Sequence, residues 1–277
     1  MSAMITPGTG RDRLQSLERG LAVLRTFDAE RPSATVAELA AATALARPTV
    51  RRILLTLQDL GYIENSGSRW RLTPRVLSIG QHYSVSNAVI ETAQPHLLRL
   101  AEQTGESASL AALDGTEVVY IARVPVRRIM SINIAVGTRV PAHATSMGRA
   151  LLAWAPPETI QRVIETTGLP SLTPHTVTDS SALRSGLRRV REQGWSVVSE
   201  ELELGLISAS APVRDPSGTV IAALASSSST GRSTPAALEA DVVPRLLTIA
   251  GQISADLGYR EQARTSASTV NAHEGFF

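Results

Sequence analysis

Three arginine side chains in one short segment are the clearest candidates for binding chemistry in this sequence. The segment "LARPTVRRILLTLQDLGY", residues 45–62, carries Arg47, Arg51 and Arg52, and only Asp59 offsets their charge. Guanidinium groups bind phosphates and the edge of guanine, so the segment suits a nucleic-acid contact. Its apolar residues recur at helical spacing and predict one buried face: Val50, Ile53, Leu54, Leu57 and Leu60. The basic face is therefore either a solvated surface or a nucleic-acid interface, and the neighbouring elements decide between the two.

The segments on both sides predict a winged helix-turn-helix. "QSLERGLAVLRTF" predicts a first amphipathic helix and "RPSATVAELAAAT" a second, in which Thr35 and Glu38 have the spacing of a capping box. After the arginine segment, "GYIENSGSRWRLTP" predicts two short strands joined by a Ser-Gly-Ser turn. In this setting residues 47–57 are best interpreted as a recognition helix whose first turn enters a major groove.

The predicted DNA contacts lie on this helix, at the start of the preceding helix and on the hairpin. Trp70, between two arginines of the hairpin, is expected in the core rather than as a stacking surface. Residues 1–75 hold 11 arginines against 7 acidic residues, whereas residues 76–277 hold 16 against 18, so the positive charge belongs to the N-terminal part. The predicted DNA-binding residues are Thr35, Arg47, Pro48, Thr49, Arg51, Arg52, Arg69 and Arg71.

Residues 107–258 alternate predicted strands and helices. The predicted strands are "SASLAAL", "EVVYIARV", "WSVVSE", "ISASAPVRD" and "TVIAALASS". The predicted helices are "SMGRALLAW", "PPETIQRVIE", "SALRSGLRRVREQG" and "PAALEADVVPRLLTIAGQISADLG". Turns at Asp114-Gly115 and Ser217-Gly218 predict hairpins, so we expect a largely antiparallel sheet. A further helix before this region, "NAVIETAQPHLLRLAEQTG", is expected to be interrupted at Pro95.

Catalysis is the main competing function, and the residues give it little support. The chain has no cysteine and no lysine, which excludes thiol nucleophiles, cysteine-bound metals, Schiff bases and the phosphate-loop lysine. There is no G-x-S-x-G motif, and the five histidines are too scattered for a metal site: His82, His96, His143, His175 and His273. The acidic run of Glu200, Glu201 and Glu203 is either an acid–base group or an exposed strand end, and we favour the latter. We therefore expect no enzyme, no cofactor and no metal.

A ligand-free architectural DNA-binding protein is the other alternative. Such a protein would not need a second, net acidic domain with its own sheet. No apolar run approaches the roughly 20 residues that cross a bilayer, and the start "MSAMITPGTGRDR" lacks an apolar signal segment. We therefore expect a cytoplasmic protein with no membrane partner.

Several segments in order resemble the IclR family of bacterial transcription regulators. They are "QSLERGLAVLRTF", the helix-turn-helix and "VGTRVPAHATSMGRALLA", within roughly residues 13–258. The segments "ARVPVRRIMSINIAVGTRVP", "TSMGRALLA" and "ELELGLISASAPVRD" are most similar to the PcaR/PcaU/PobR group, which governs the catabolism of protocatechuate, 4-hydroxybenzoate and related aromatic acids. The resemblance implies a ligand-responsive regulator of a catabolic operon that binds double-stranded promoter DNA. It also implies dimers paired through their DNA-binding halves, which can join as dimers of dimers.

The resemblance implies an α+β protein: an N-terminal winged helix-turn-helix and a C-terminal GAF-like effector domain with an antiparallel sheet flanked by helices. The expected division is a flexible tail at 1–12, the DNA-binding domain at 13–75, a linker and connecting helix at 76–104, the effector domain at 105–258 and a polar tail at 259–277.

The effector implied by the resemblance is a small aromatic carboxylic acid, with a small aliphatic acid such as glyoxylate as the alternative. The implied effector-binding residues are Arg128, Ile129, Ile132, Val140, His143, Thr145, Ser146, Met147, Glu200, Ser208, Ala225 and Ser227. The helix that starts at Ser146 presents N–H groups that favour a carboxylate, helped by Arg128 or His143. The apolar side chains of the set would hold the ring.

Overall fold

The structure is a computed structural model and describes residues 14–28, 31–80, 88–126 and 134–260. The chain divides into two compact units, Met1–Ser86 and Asn87–Phe277. None of the described helices combines the length and the apolar character that crossing a bilayer requires. The predicted terminal tails, apart from residues 259 and 260, lie outside the described residues.

The N-terminal unit is a winged helix-turn-helix, as predicted. Its elements are α1 (Gln15–Leu24), β1 (Ser33–Ala34), α2 (Val36–Thr43), α3 (Arg47–Asp59), β2 (Ile63–Ser66) and β3 (Arg69–Leu72). The three strands pair antiparallel in the order β1-β3-β2. A 3-10 turn, Pro74–Val76, follows the hairpin, and residues 77–80 are helical.

The start of α2 is fixed by the predicted capping box. The Thr35 hydroxyl accepts a hydrogen bond from the Glu38 N–H at 3.3 Å, and the Glu38 carboxylate accepts one from the Thr35 N–H at 2.7 Å. Such a cap contributes about 1 kcal/mol to helix stability. It also fixes the approach of α2 to the helix that follows.

One apolar core holds the three helices and the hairpin together. Its buried side chains are Val23, Phe27, Ala34, Leu39, Ala40, Val50, Leu54, Leu57, Ile63 and Trp70. Trp70 is 7% exposed, which confirms its predicted core position under the hairpin. Burial of a side chain such as Leu39 or Leu54 stabilises the unit by roughly 1.5–3 kcal/mol, so α3 is rigidly seated with its polar face outward.

The C-terminal unit is a six-stranded sheet with helices on both faces. Its strands are β4 (Ser107–Asp114), β5 (Glu117–Val124), β6 (Arg139–Pro141), β7 (Ser196–Ser199), β8 (Leu206–Arg214) and β9 (Val220–Ser229). Its helices are α4 (Ala88–Thr104), α5 (Ser146–Leu152), α6 (Pro157–Thr167), α7 (Ser180–Gln193) and α8 (Val243–Asp256). The strand order is β6-β5-β4-β9-β8-β7 and every neighbouring pair is antiparallel, as predicted.

Two cores lie on the two faces of this sheet. Helices α4 and α8 cover one face, where Leu97, Leu100 and Leu246 are fully buried. Helix α5, with α6 and α7 behind it, covers the other face and buries Met147 and Leu152. Side chains alternate between the faces along each strand, so one strand serves both cores.

Helix α4 runs without a break through Pro95, and the expected interruption there was wrong. Proline removes one N–H bond from a helix and crowds the preceding turn. Ala93 and Leu97, two positions before and after Pro95, are fully buried against the sheet. This burial outweighs the local cost, so tertiary packing decides the conformation.

Strand β5 contains a β-bulge at Ile121. Leu110 of β4 faces Ala122, whereas the next residue, Ala111, faces Tyr120, which leaves Ile121 as the extra residue. A bulge changes the face to which later side chains point.

Candidate DNA-binding and effector sites

The first two turns of α3 present a basic face whose arginines have no ion-pair partner among the described residues. Arg47, Arg51 and Arg52 are exposed, and no described carboxylate lies within ion-pair distance of them. Pro48 is also exposed in the first turn, and Thr49 is half-buried. Ala46 precedes the helix and provides no side-chain cap, so the N–H groups of the first turn remain available to an acceptor such as a phosphate.

The hairpin arginines, in contrast, are engaged within the unit. Arg69 donates to the Ser33 carbonyl at 2.7 Å and pairs with Glu38 at 3.3 Å. Arg71 pairs with Glu64 across the hairpin at 2.5 Å. Hydrogen bonds from Thr35 lower the pKa of Glu38, so its carboxylate is available as the charged partner.

The predicted DNA-binding residues therefore fall into two groups. Those on α3 are free to contact a ligand, whereas Thr35, Arg69 and Arg71 each hold another element in place. The bonds of Arg69 tie the hairpin to β1 and to the start of α2.

A narrow cleft opens between α5, the end of the sheet and the loop after β7. Its described lining residues are Tyr120, Ile134, Ala144, Thr145, Ser146, Met147, Val198, Glu200, Glu201, Leu202, Leu206, Ser208 and Ser227. Six predicted effector-binding residues are brought together in this lining: Thr145, Ser146, Met147, Glu200, Ser208 and Ser227. The cleft volume is about 20 Å³, close to the space for one water molecule.

Other predicted residues lie beside the cleft or cannot be placed. Val140 and Ala225 pack in the core beneath α5 and are not among the lining residues. Arg128, Ile129 and Ile132 lie outside the described residues.

His143 is fully buried and is not among the lining residues. Its Nε2 lies 3.1 Å from the carbonyl oxygen of Pro170, and its Nδ1 has no partner among the described residues. Burial lowers the pKa of His143, outweighing the hydrogen bond to Pro170. The ring is therefore neutral at neutral pH, with the proton on Nε2.

Hydroxyl groups dominate the polar part of the lining. The Ser146 and Ser208 hydroxyls are hydrogen-bonded at 2.9 Å, and Ser208 faces Ser227 directly across β8 and β9. The Thr145 hydroxyl accepts the Gly148 N–H at 3.0 Å and caps α5. This arrangement can orient one polar group of a ligand through several weak donors and acceptors.

Gly148 allows α5 to lie directly against the preceding 3-10 turn, Ala142–Ala144. A Cβ atom at position 148 would lie 2.0 Å from the carbonyl oxygen of Ala142. Only glycine fits this approach of backbone to backbone. Gly148 therefore fixes the position of the cleft wall.

A buried ion pair joins α5 to the loop after β7. Arg149 donates to Glu201 at 2.6 Å, and their side chains are only 13% and 9% exposed. Glu201 also accepts the Val177 N–H at 3.0 Å, and the Arg149 Nε donates to the His143 carbonyl at 3.1 Å. Burial lowers the pKa of Arg149, and the Glu201 carboxylate acts in the opposite direction.

The expected exposed strand end was thus wrong for Glu201. Its neighbour Glu200 is half-buried, has a backbone φ of 59° and accepts the Gly205 N–H at 2.8 Å, which closes the loop from 200 to 205. Sequence reasoning did not single out Arg149. The available signal was a lone arginine among apolar and small residues in "TSMGRALLA".

Metal chemistry has no site in the part of the chain that the structure describes. No group of three or more histidine, aspartate or glutamate side chains there could hold a metal ion. The described geometry instead combines a free basic helix in one unit with a small hydroxyl-lined cleft in the other. This combination defines the class of DNA-binding proteins that carry a separate ligand-binding domain.

Comparison with known families agrees with this class. The model of the IclR helix-turn-helix domain matches residues 16–67, and that of the bacterial transcriptional regulator IclR C-terminal domain matches residues 81–255. The chain belongs to the IclR family of transcriptional regulators, which are not enzymes.

Three similar proteins cover most of the chain. The Pca regulon regulatory protein of Pseudomonas putida is 40% identical over 237 residues, which cover 85% of this chain and 81% of that protein. The p-hydroxybenzoate hydroxylase transcriptional activator of Acinetobacter baylyi is 37% identical over 247 residues, 87% of this chain and 91% of that protein. A crystal structure of an IclR homologue from Microbacterium hydrocarbonoxydans in complex with 4-hydroxybenzoate is 30% identical, with a TM-score of 0.77 over 88% of this chain and 99% of that one.

Proposed function

We propose that this chain is a dimeric regulator of a catabolic operon that binds a specific promoter site and responds to a small aromatic carboxylic acid. The observation that carries the DNA-binding part is the unpartnered basic face of α3. Base contacts from Arg51 or Arg52 would supply sequence specificity, and phosphate contacts from the first turn would set the register.

A second copy of the chain is the proposed partner of the N-terminal unit. Large apolar side chains are exposed on and near α1: Leu14, Leu17, Leu21, Leu60, Leu77 and Ile79. Most of them line a groove of about 520 Å³ in which apolar surface prevails. Association through the α1 side of this groove would bury these apolar side chains and leave Thr49 and Arg52, which line its α3 side, to the DNA. A two-fold axis would place two α3 helices on two half-sites.

Arg51→Ala or Arg52→Ala should weaken binding to the promoter site by about 1–3 kcal/mol if that arginine reads a base. A phosphate contact would instead weaken binding evenly across sequences and make the salt dependence shallower. Fluorescence anisotropy on palindromic and half-site fragments measures both effects, and a dimer should strongly prefer the palindrome. Arg188→Ala, which removes an exposed arginine of α7, is the control and should bind as the parent does. Failure of the purified parent to bind any fragment from its own or neighbouring promoters would contradict the proposal.

The proposed effector is of the 4-hydroxybenzoate or protocatechuate type. Relatives named for the Pca regulon and for p-hydroxybenzoate hydroxylase, and a homologue in complex with 4-hydroxybenzoate, support this class. The lining supports it as well, because Tyr120, Ile134 and Met147 offer apolar contacts and the serines offer polar ones. A ring does not fit into about 20 Å³, so the lining must open as the ligand binds. The acid shifts the equilibrium toward the open arrangement of the lining only if it binds that arrangement more tightly than the closed one.

The small cleft volume also favours a second candidate, a short aliphatic acid such as glyoxylate. A thermal-shift series with 4-hydroxybenzoate, protocatechuate and glyoxylate separates the two. At about one hundred times Kd the effector should stabilise the chain by about 2.7 kcal/mol, which raises Tm by roughly 5–10 °C. We expect this shift with the aromatic acids. A shift with glyoxylate alone would overturn the aromatic class and leave the regulator function standing.

A further inference from the structure

The cleft has a negative end and lacks a cation in its described lining. Glu200 and Glu201 line it beside the Ser146–Ser208 pair, and no described arginine or histidine is among its lining residues. Arg149 neutralises Glu201 but is held by that carboxylate and by the His143 carbonyl. A ligand carboxylate at this end would therefore meet the Glu200 carboxylate, whose described contacts include the Gly205 N–H and, at 3.9 Å, the His175 ring, with no described arginine beside it.

The start of α5 offers less to an anion than its sequence indicates. The Thr145 hydroxyl already accepts the Gly148 N–H. The helix spans only Ser146–Leu152, so its dipole is small. Among the described residues, a donor for a carboxylate therefore has to come from elsewhere on this face of the sheet.

The bulge in β5 brings an arginine to this face. Tyr120 lines the cleft, and in a regular strand the residue three positions later would point to the opposite face. Because Ile121 is an extra residue, Arg123 lies on the same face of the sheet as Tyr120. Their partners on β4 show this: Tyr120 pairs with Ala111 and Arg123 pairs with Ser109, and these two partners are two residues apart on one strand. Bulges commonly re-aim a side chain next to a functional site.

Arg123 is half-buried and has no partner among the described residues. Its Nε is buried without a hydrogen bond. Burial lowers the pKa of Arg123 and raises that of Tyr120, and each group opposes the shift of the other. A buried guanidinium N–H without an acceptor is costly unless a ligand supplies one.

The same cross-strand row holds a second polar atom without a partner. Arg123 faces Ser109, which faces Ala225, which faces Ser210. The Ser210 hydroxyl is fully buried and makes no hydrogen bond within the described residues. Ser109 and Ala225, both buried, lie between these two unsatisfied groups. Within the described part of the chain, the row therefore carries an unpaired polar atom at each end, on the face of the sheet that lines the cleft.

We propose that Arg123 binds the carboxylate of the effector, and that the opposite end of the ring lies at the Ser146–Ser208 pair. A para-hydroxyl group would then donate to a serine or to Glu200, where a carboxylate would be repelled. This orientation rests on the proposed aromatic acid and reverses the one that the helix start suggests. It makes the bulge in β5 the feature that selects acids over neutral ligands.

Isothermal titration of 4-hydroxybenzoate and 4-hydroxybenzamide into the full-length parent and the Arg123→Gln variant tests the role of the charge. Loss of a charge-assisted bond should weaken binding of the acid by roughly tenfold to a hundredfold. Binding of the amide should change less than about twofold, since the amide carries no charge to pair. Arg123→Lys should recover part of the affinity for the acid, and Arg188→Gln should leave both ligands unaffected. The Tm of each variant without ligand reports folding.

Ser208→Ala tests the other end of the ring. This variant should weaken the binding of 4-hydroxybenzoate more than the binding of benzoate, which has no para-hydroxyl group. Equal loss of acid and amide in Arg123→Gln, or unchanged acid binding in that variant, would overturn the assignment while leaving the proposed effector class intact. A parent that binds no aromatic acid would overturn both.

Discussion

Gly148→Ala should destabilise the C-terminal unit by at least about 3 kcal/mol. The added Cβ would lie 2.0 Å from the Ala142 carbonyl oxygen, a distance that no side-chain movement can relieve because both groups belong to the backbone. Either α5 or the 3-10 turn must shift, and both carry residues of the cleft wall. Urea denaturation followed by circular dichroism measures the change in the free energy of unfolding. Effector binding should be lost together with stability, whereas DNA binding by the separate N-terminal unit should be affected less.

Gly186→Ala is the matched control. Gly186 lies inside α7, has ordinary helical geometry, and a Cβ there would meet nothing within 4 Å. Alanine is the better helix former, so this variant should be more stable by up to about 1 kcal/mol. Equal stability of the two variants would show that the close approach at Gly148 does not hold in solution.

Glu201→Ala should lower the free energy of unfolding of the C-terminal unit by about 3–5 kcal/mol, because it leaves the buried Arg149 guanidinium without its carboxylate. The same change removes the acceptor of the Val177 N–H, which lies in a different segment of the unit. The loop after β7 should therefore lose its attachment to α5. Thermal unfolding with and without an aromatic acid measures both stability and ligand response.

Glu203→Ala provides the comparison for a carboxylate two residues away. Glu203 is exposed, and its loss should change stability by less than about 0.5 kcal/mol. A Glu201 variant as stable as the Glu203 variant would mean that the Arg149 pair contributes nothing net to folding.

Local rules predicted the N-terminal unit well. The cap at Thr35, the turn between β2 and β3 and most of the apolar stripe of α3 are short-range signals that are found where the sequence places them. Leu60 is the exception: it follows the last residue of α3 and is 52% exposed, so its prediction as part of the buried face was wrong. The antiparallel sheet also follows from local turns, such as the one at Gly115, which has a positive φ of 66°. Neighbouring residues are sufficient to specify such features.

Long-range features were missed for the opposite reason. The short strands β1 and β6 exist because a distant strand pairs with them, and their own residues carry no periodic pattern. Arg149 and Glu201 are 52 positions apart, so their burial depends on a contact that no local pattern encodes. The bulge at Ile121 is likewise set by the register with β4. The candidate site combines both kinds of feature, so residues such as Ser146 and Ser208 could be named while Arg123 could not.

Strand β8 has a mechanical consequence that follows from its two-sided packing. Ser208 lines the cleft, whereas the next residue, Ala209, is fully buried on the far side of the sheet against the core of α4 and α8. A core packed this tightly has no free volume to absorb a displacement. A ring that displaced β8 would therefore also displace α8 and its neighbour α4. The sheet would transmit a movement at the cleft to the helices on its opposite face.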